Sequence, residues 1–127
     1  MRLFLVRHAE AAPGEPDDLR PLTPAGRDHA RTLGATLARE HPEAVLSSPL
    51  LRARETAVAI AEASGVTAEA DERLAPGATA DDLRAAAAGH GETVVAVGHE
   101  PDCSEIVLAL TGREVRFPAG AVHEVQL

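Results

Sequence analysis

Lysine is absent from these 127 residues, and all 12 basic residues are arginines. Against 20 acidic residues they leave a formal net charge of −8. A field of that sign opposes nucleic-acid binding and repels anionic membranes. An anionic ligand therefore needs a local pocket of arginines. Cysteine is nearly absent too. Cys103 stands alone, so no intrachain disulfide can form. No apolar run reaches the length of a membrane span. The apolar stretch after Met1-Arg2 is too short for a signal peptide, and a cytoplasmic protein is expected. Acidic clusters with metal-ligand spacing are missing, and Cys103 has no ligand neighbours. Chemistry without metal or cofactor is expected. Heptad repeats are missing as well, and a monomer is expected.

What remains suits one domain over residues 1–127, with 45% hydrophobic residues to build a core. Leu3-Phe4-Leu5-Val6 is a short apolar run, and residues 2–7 are predicted as a buried strand. Residues 11–22 carry Pro13, Gly14, Pro16, Asp17 and Asp18 and read as a polar loop. Thr23 caps a helix opened by Pro24, with Ala30, Leu33, Leu37 and Ala38 on its apolar face. That helix stops near His41-Pro42, because proline disfavours helix at the preceding residue. Residues 44–47 form a second strand. Ser48-Pro49 repeats the cap-then-proline signal for a helix reaching Ser64-Gly65. Residues 66–75 hold a short strand and loop. A capping box at Thr79 starts an alanine-rich helix that Gly89-His90-Gly91 breaks. Residues 93–98 are a further strand, and residues 102–111 a last helix closed by Gly112. Residues 115–117 and 121–127 predict a terminal hairpin. Strands alternating with helices predict an α/β fold. The expected form is a three-layer α/β/α sandwich with a mostly parallel sheet and an antiparallel C-terminal edge.

Three predicted strand ends offer Arg or His. Arg7-His8 follows the first strand, Arg52 lies just past the second, and His99 follows Gly98 at the end of residues 93–98. In open α/β sheets, ligands bind outside the carboxyl ends of the strands. Convergence of these side chains predicts one anion site. A phosphoryl group spreads its charge over several oxygens and needs fixed cationic donors. Arg7 and Arg52 supply them, aided by N–H groups of the helix that carries Arg52. An uncharged histidine can attack phosphorus near neutral pH. With one of His8 and His99 as nucleophile, the other can donate to the phosphoryl oxygens.

These residues fall in recognisable segments. Leu5-Val6-Arg7-His8-Ala9-Glu10 resembles the RHG signature of the histidine phosphatase superfamily. Ser47 to Ala57 resembles its SSPxxRAxxTA segment, and Gly98-His99-Glu100-Pro101 its GHxP segment. Arg20 to Gly26 is similar to the RPLTxxG segment of the small SixA-type branch, the protein phosphohistidine phosphatases. The four segments come in order and span nearly the whole chain. The resemblance implies a phosphoglycerate mutase-like fold and a metal-independent phosphatase. It implies His8 as the residue that becomes phosphohistidine, with Arg7, Arg52 and His99 on the phosphoryl oxygens. It implies phosphohistidine in a partner protein as substrate. A small phosphoester is the alternative substrate, and a non-catalytic phosphate-binding module the alternative role.

Two departures stand out. The signature glycine is Ala9. No insertion between Arg52 and His99 is long enough for the lobe that covers the site and supplies an acid in larger members. Glu10, Asp17, Asp18 and Glu100 are then the candidate general acids. Arg20 either rims the pocket or pairs with Asp17 or Asp18. Ser48 either touches phosphate or caps its helix, and capping is the simpler reading. Thr56 packs or bonds to backbone. Cys103 is a small packing residue. His29, His41 and His90 are surface residues, and His123 faces inward with its hydrogen bonds satisfied. Arg54, Glu55 and Glu62 form a solvated helix face.

Overall fold

The computed structural model describes residues 1–127. Strand β1 (Arg2–Arg7) is followed by helix α1 (Pro24–Ala38), β2 (Ala44–Ser47), α2 (Leu51–Ser64) and β3 (Ala68–Ala70). Helix α3 (Ala80–Ala87), β4 (Thr93–Gly98), α4 (Asp102–Thr111) and β5 (Val122–Gln126) complete the chain. The sheet order is β3-β2-β4-β1-β5. The first four of these strands run parallel, and β5 pairs antiparallel with β1. No helix is long and apolar enough to cross a membrane.

The central strands are apolar throughout because both faces of the sheet are covered, as expected for parallel strands. Alternate residues face opposite layers. Leu3 and Leu5 of β1 pack with Leu46, Val94 and Ala96 against Leu83 of α3 and Ile106 and Val107 of α4. Phe4 and Val6 pack with Val45, Val95 and Val97 against Leu33 and Leu37 of α1 and Ala57 and Ile60 of α2. Cys103 lies in the first layer, buried and as a free thiol. Helices α1 and α2 meet closely where Gly34 faces Ala59. A Cβ on Gly34 would come within 2.8 Å of the Ala59 carbonyl oxygen.

Local signals explain most boundaries. Thr23 accepts the Gly26 N–H, and Pro24 opens α1. Thr79 and Asp82 form the reciprocal capping box of α3. Gly65 and Gly112 end α2 and α4 with φ of 72° and 74°, a left-handed stop that favours glycine. Two expectations fail. Residues 115–117 are not a strand, so the terminal element is the single strand β5 paired on β1 rather than a hairpin. Phe117 is instead buried in the core, and its backbone serves the site described below. Helix α2 begins at Leu51, two residues later than the Ser48-Pro49 signal implies.

The topology sets the site. The chain leaves β1 toward α1, on one face of the sheet, and leaves β4 toward α4, on the other. The strands β1 and β4 end side by side, with Arg7 opposite Gly98, and Ser47 of β2 lies opposite Val97. Loops leaving such adjacent ends diverge and open a crevice.

Candidate active site

A cavity of about 310 Å³ opens at these strand ends. Arg7, His8, Arg20, Arg52 and His99 line it, together with Asp17, Glu100 and Pro76. The residues expected from three strand ends, more than 40 positions apart in the chain, therefore converge on one concave surface.

His8 follows directly from β1. Its backbone N–H donates to Gly98 O at 3.0 Å, which fixes it to the end of β4. From the other side, the Gly120 N–H donates to the carbonyls of Arg7 and His8, at 3.1 and 3.0 Å. The ring Nδ1 lies 2.7 Å from the Ala9 carbonyl oxygen. A carbonyl only accepts, so Nδ1 carries the hydrogen and Nε2 keeps its lone pair. Burial holds the His8 pKa below the ordinary histidine value. The Ala9 carbonyl works against that shift, while the charges of Arg52 and Arg7 add to it. The ring is thus a neutral base with one oriented nitrogen free.

Ala9 is fully buried, and its φ is not positive. The signature glycine's conformational freedom is not needed here. Its N–H donates to Thr56 Oγ1 at 3.1 Å, and Thr56 Oγ1 donates in turn to Arg52 O at 2.8 Å. Gly26 is the nearby glycine that matters. A side chain there would collide with the Glu10 carbonyl, in the segment that follows the nucleophile.

His99 stands across the cavity, its ring centre 5.2 Å from that of His8. Burial lowers its pKa to about 4, with His8 and Arg52 adding to the effect, so this ring is neutral as well. Its Nε2 lies 2.8 Å from Ser48 Oγ. Ser48 is the position where the structure departs most from expectation. It is fully buried and does not line the cavity. Its hydroxyl accepts the Leu50 N–H at 3.2 Å and contacts His99, but it does not cap α2. The intervening Pro49 and Leu50 postpone the helix, so the hydroxyl holds a turn and a histidine instead.

The arginines are fixed by backbone. Arg7 Nη1 donates to Phe117 O at 2.9 Å, while its buried Nε has no partner. Arg20 Nε donates to Ala12 O at 2.8 Å, and Nη1 pairs with Asp17 at 3.0 Å. Arg20 thus both rims the cavity and forms an ion pair. Arg52 is 7% exposed. Its Nη1 donates to Asp17 O at 2.8 Å, and its Nη2 to Asp17 Oδ2 at 3.2 Å.

The four carboxylates separate into two groups. Asp17 and Glu100 line the cavity. Glu10 and Asp18 do not, and Glu10 Oε1 instead accepts the Thr23 hydroxyl hydrogen at 2.7 Å. The guanidinium groups of Arg20 and Arg52 hold Asp17 below the usual carboxylate range. Glu100 accepts from Ser104 N at 2.7 Å and from Ser104 Oγ at 2.9 Å, at the start of α4.

Other residues shape the site without having been singled out in the sequence. Glu55, read as part of a solvated face, accepts the Leu22 N–H at 2.7 Å and pins the 11–22 loop to α2. Asp102 accepts the Gly77 N–H at 2.8 Å and so holds the segment carrying Pro76. Phe117 O and Gly120 N serve through backbone atoms, which residue type does not reveal. His123, expected to be buried, is only half-buried; its ring lies 4.7 Å from that of Phe117, and Nε2 bonds to Arg116 O.

Comparison with known proteins gives the family and the fold. The family model described as histidine phosphatase superfamily (branch 1) matches residues 3–76. An uncharacterized protein of Picosynechococcus is 36% identical over 96% of this chain and 82% of its own length. Phosphoserine phosphatase 1 of Hydrogenobacter thermophilus is 35% identical over 58% of this chain, but over only 37% of its own length. Among solved structures, the protein histidine phosphatase SixA complexed with tungstate superposes with a TM-score of 0.84. It is 28% identical, over 100% of this chain and 88% of that one. A structure from Agrobacterium tumefaciens assigned to SixA gives a TM-score of 0.82 at 30% identity, over 97% and 89%.

Proposed function

Since the chain belongs to the histidine phosphatase superfamily, in its SixA-type group, we propose that it dephosphorylates phosphohistidine in a partner protein. The supporting observation is the pairing of His8 Nδ1 with the Ala9 carbonyl, which leaves Nε2 as the nucleophilic nitrogen in an arginine-lined cavity. Tungstate, a tetrahedral oxyanion like phosphate, is bound in the related SixA structure.

In this reading the substrate phosphoryl group sits on Arg7, Arg52 and Arg20, with His99 donating at a fourth side. His8 Nε2 attacks phosphorus as the bond to the substrate imidazole breaks. That imidazole leaves with a proton. Water then attacks the phosphohistidine formed at His8. The P–N bond breaks, phosphate departs, and the water proton is released. Each step places charge on oxygens already faced by fixed guanidinium donors, so little reorganisation is needed. Neither cavity carboxylate is set up as a proton donor. Asp17 is held ionised by two arginines, and both oxygens of Glu100 accept hydrogens from Ser104. A phosphorylated imidazole suits such a site, because its ring nitrogen takes a proton from solvent near neutral pH. The absence of an inserted lobe between Arg52 and His99 leaves the cavity open to a protein-borne side chain.

A second reading, hydrolysis of a small phosphomonoester, is favoured by the likeness to phosphoserine phosphatase 1. The two separate on kcat/KM for a phosphohistidine protein and an aryl phosphate, measured on wild type and His8→Ala. The phosphohistidine reading expects preference for the phosphoprotein and a loss of about a thousandfold or more in His8→Ala. Turnover that survives His8→Ala removes His8 as nucleophile. Preference for the small ester selects the second reading. Phosphate binding with no hydrolysis of either substrate would make the chain a binding module.

A further inference from the structure

Beside the catalytic cavity lies a second one of about 350 Å³, between α1 and α2. Its floor is apolar, formed by Leu22, Leu51, Val58 and Ala59. Val58 is 45% exposed. The two cavities draw neighbouring residues from the same two segments. Arg20 lines the catalytic side of the loop and Leu22 the other, while on α2 Arg52 lines one and Leu51 the other.

Charge links them as well. Arg7, Arg20 and Arg52 line the first cavity, and Arg27, Arg31 and Arg54 the second. Half of the chain's 12 arginines thus gather on one side of a molecule with net charge −8. Arg31 pairs with Asp28, but Arg27 and Arg54 have no carboxylate partner among the chain's ion pairs. Of the two acidic residues in the groove, Glu55 is turned to the Leu22 N–H, and Glu62 is exposed, so three arginines face one outward carboxylate.

We propose that this groove docks the polypeptide flanking the phosphohistidine of the substrate protein, and that this flank is amphipathic and acidic. The proposal rests on the phosphohistidine reading above. Apolar side chains of the flank cover Val58 and Leu51, and its carboxylates meet Arg27 and Arg54. An acidic partner is repelled by the net negative charge of the chain and attracted to the arginines of the two cavities, which orients it as it approaches. Docking beside an open cavity supplies selectivity that the cavity, built for a phosphoryl group, does not provide.

The test uses two synthetic phosphohistidine peptides with the same residues at the phosphohistidine. One carries an acidic amphipathic flank and the other a basic flank of equal length. Turnover is compared for wild type and for the double variant Arg27→Glu/Arg54→Glu, with an aryl phosphate as control. Both arginines are exposed on helices, and circular dichroism verifies that the variant folds. Wild type is expected to prefer the acidic flank by about tenfold in kcat/KM, with a preference that shrinks as salt is added. The double variant loses the preference and keeps its rate on the aryl phosphate. Equal turnover of the two peptides by wild type overturns the proposal, as does a preference that survives in the variant. Self-association abolished by Val58→Asp assigns the groove to a second copy of the chain and also overturns it. Hydrolysis of the aryl phosphate without hydrolysis of either peptide sinks the phosphohistidine reading itself, and the docking proposal with it.

Discussion

The hydroxyl of Thr56 accepts the backbone N–H of Ala9 at 3.1 Å while donating to the Arg52 carbonyl at 2.8 Å. One fully buried side chain therefore ties the peptide that orients His8 to the helical turn that carries Arg52. Thr56→Val preserves shape and removes both bonds. Leaving the Ala9 N–H buried without a partner costs about 1–3 kcal/mol of stability. With the Ala9 carbonyl less firmly placed, kcat is expected to fall about tenfold while phosphate affinity changes little. Thr56→Ser keeps the hydroxyl and restores kcat. A fall in stability with unchanged kcat would make Thr56 a packing residue only.

Ala9 invites the opposite experiment. Its φ lies outside the left-handed region, so glycine brings no conformational relief. Ala9→Gly frees the unfolded chain and is expected to destabilise the fold by roughly 0.5–1 kcal/mol without raising kcat. Denaturant midpoints and turnover on an aryl phosphate check both halves. A gain in kcat would show that the alanine restrains a motion the reaction uses.

Asp17 occupies the groups that a phosphoryl ligand needs. Its carboxylate pairs with Arg52 at 3.2 Å and with Arg20 at 3.0 Å. The Asp17 side chain is 64% exposed, so solvent screens the pairs and they are weak. Asp17→Ala is therefore expected to tighten binding of inorganic phosphate only modestly, by about three- to fivefold. Isothermal titration measures this directly. Weaker binding in the variant would mean that Asp17 positions the arginines rather than competing for them.

Much of this arrangement is legible in the chain. Strands β1, β2 and β4 fall at Arg2–Arg7, Ala44–Ser47 and Thr93–Gly98, because short β-branched and leucine runs between polar breaks have few other solutions. The convergence of Arg7, His8, Arg52 and His99 follows from their places after those strands. Ser48 misled because a serine before proline signals a cap locally, whereas a tertiary contact with His99 claims the hydroxyl. Residues 115–117 alternate like a strand but find no neighbour to pair with, and burial of Phe117 takes precedence. Glu55 looked solvated because its partner is a backbone N–H more than 30 positions away, which helical periodicity does not register.

The two facing histidines make stability depend on pH. His99 falls from 6.5 to about 4 in the folded chain, and His8 is lowered as well, burial being the main cause of both. Between those values the unfolded chain binds protons that the folded chain refuses. More protons on the unfolded side mean that stability rises with pH. The contribution is complete above the unfolded value and is lost as pH falls toward 4. Lowered Asp17 acts in the same sense, but only below its ordinary value of 3.8, outside this window. Urea denaturation at about pH 7 and about pH 5 should show a lower midpoint at the acid end for wild type. His99→Asn removes one of the titrating rings, so its midpoint should fall less over the same interval. Equal falls in the two proteins would mean that the folded site accommodates a protonated His99, and that its neutrality is not built into the fold.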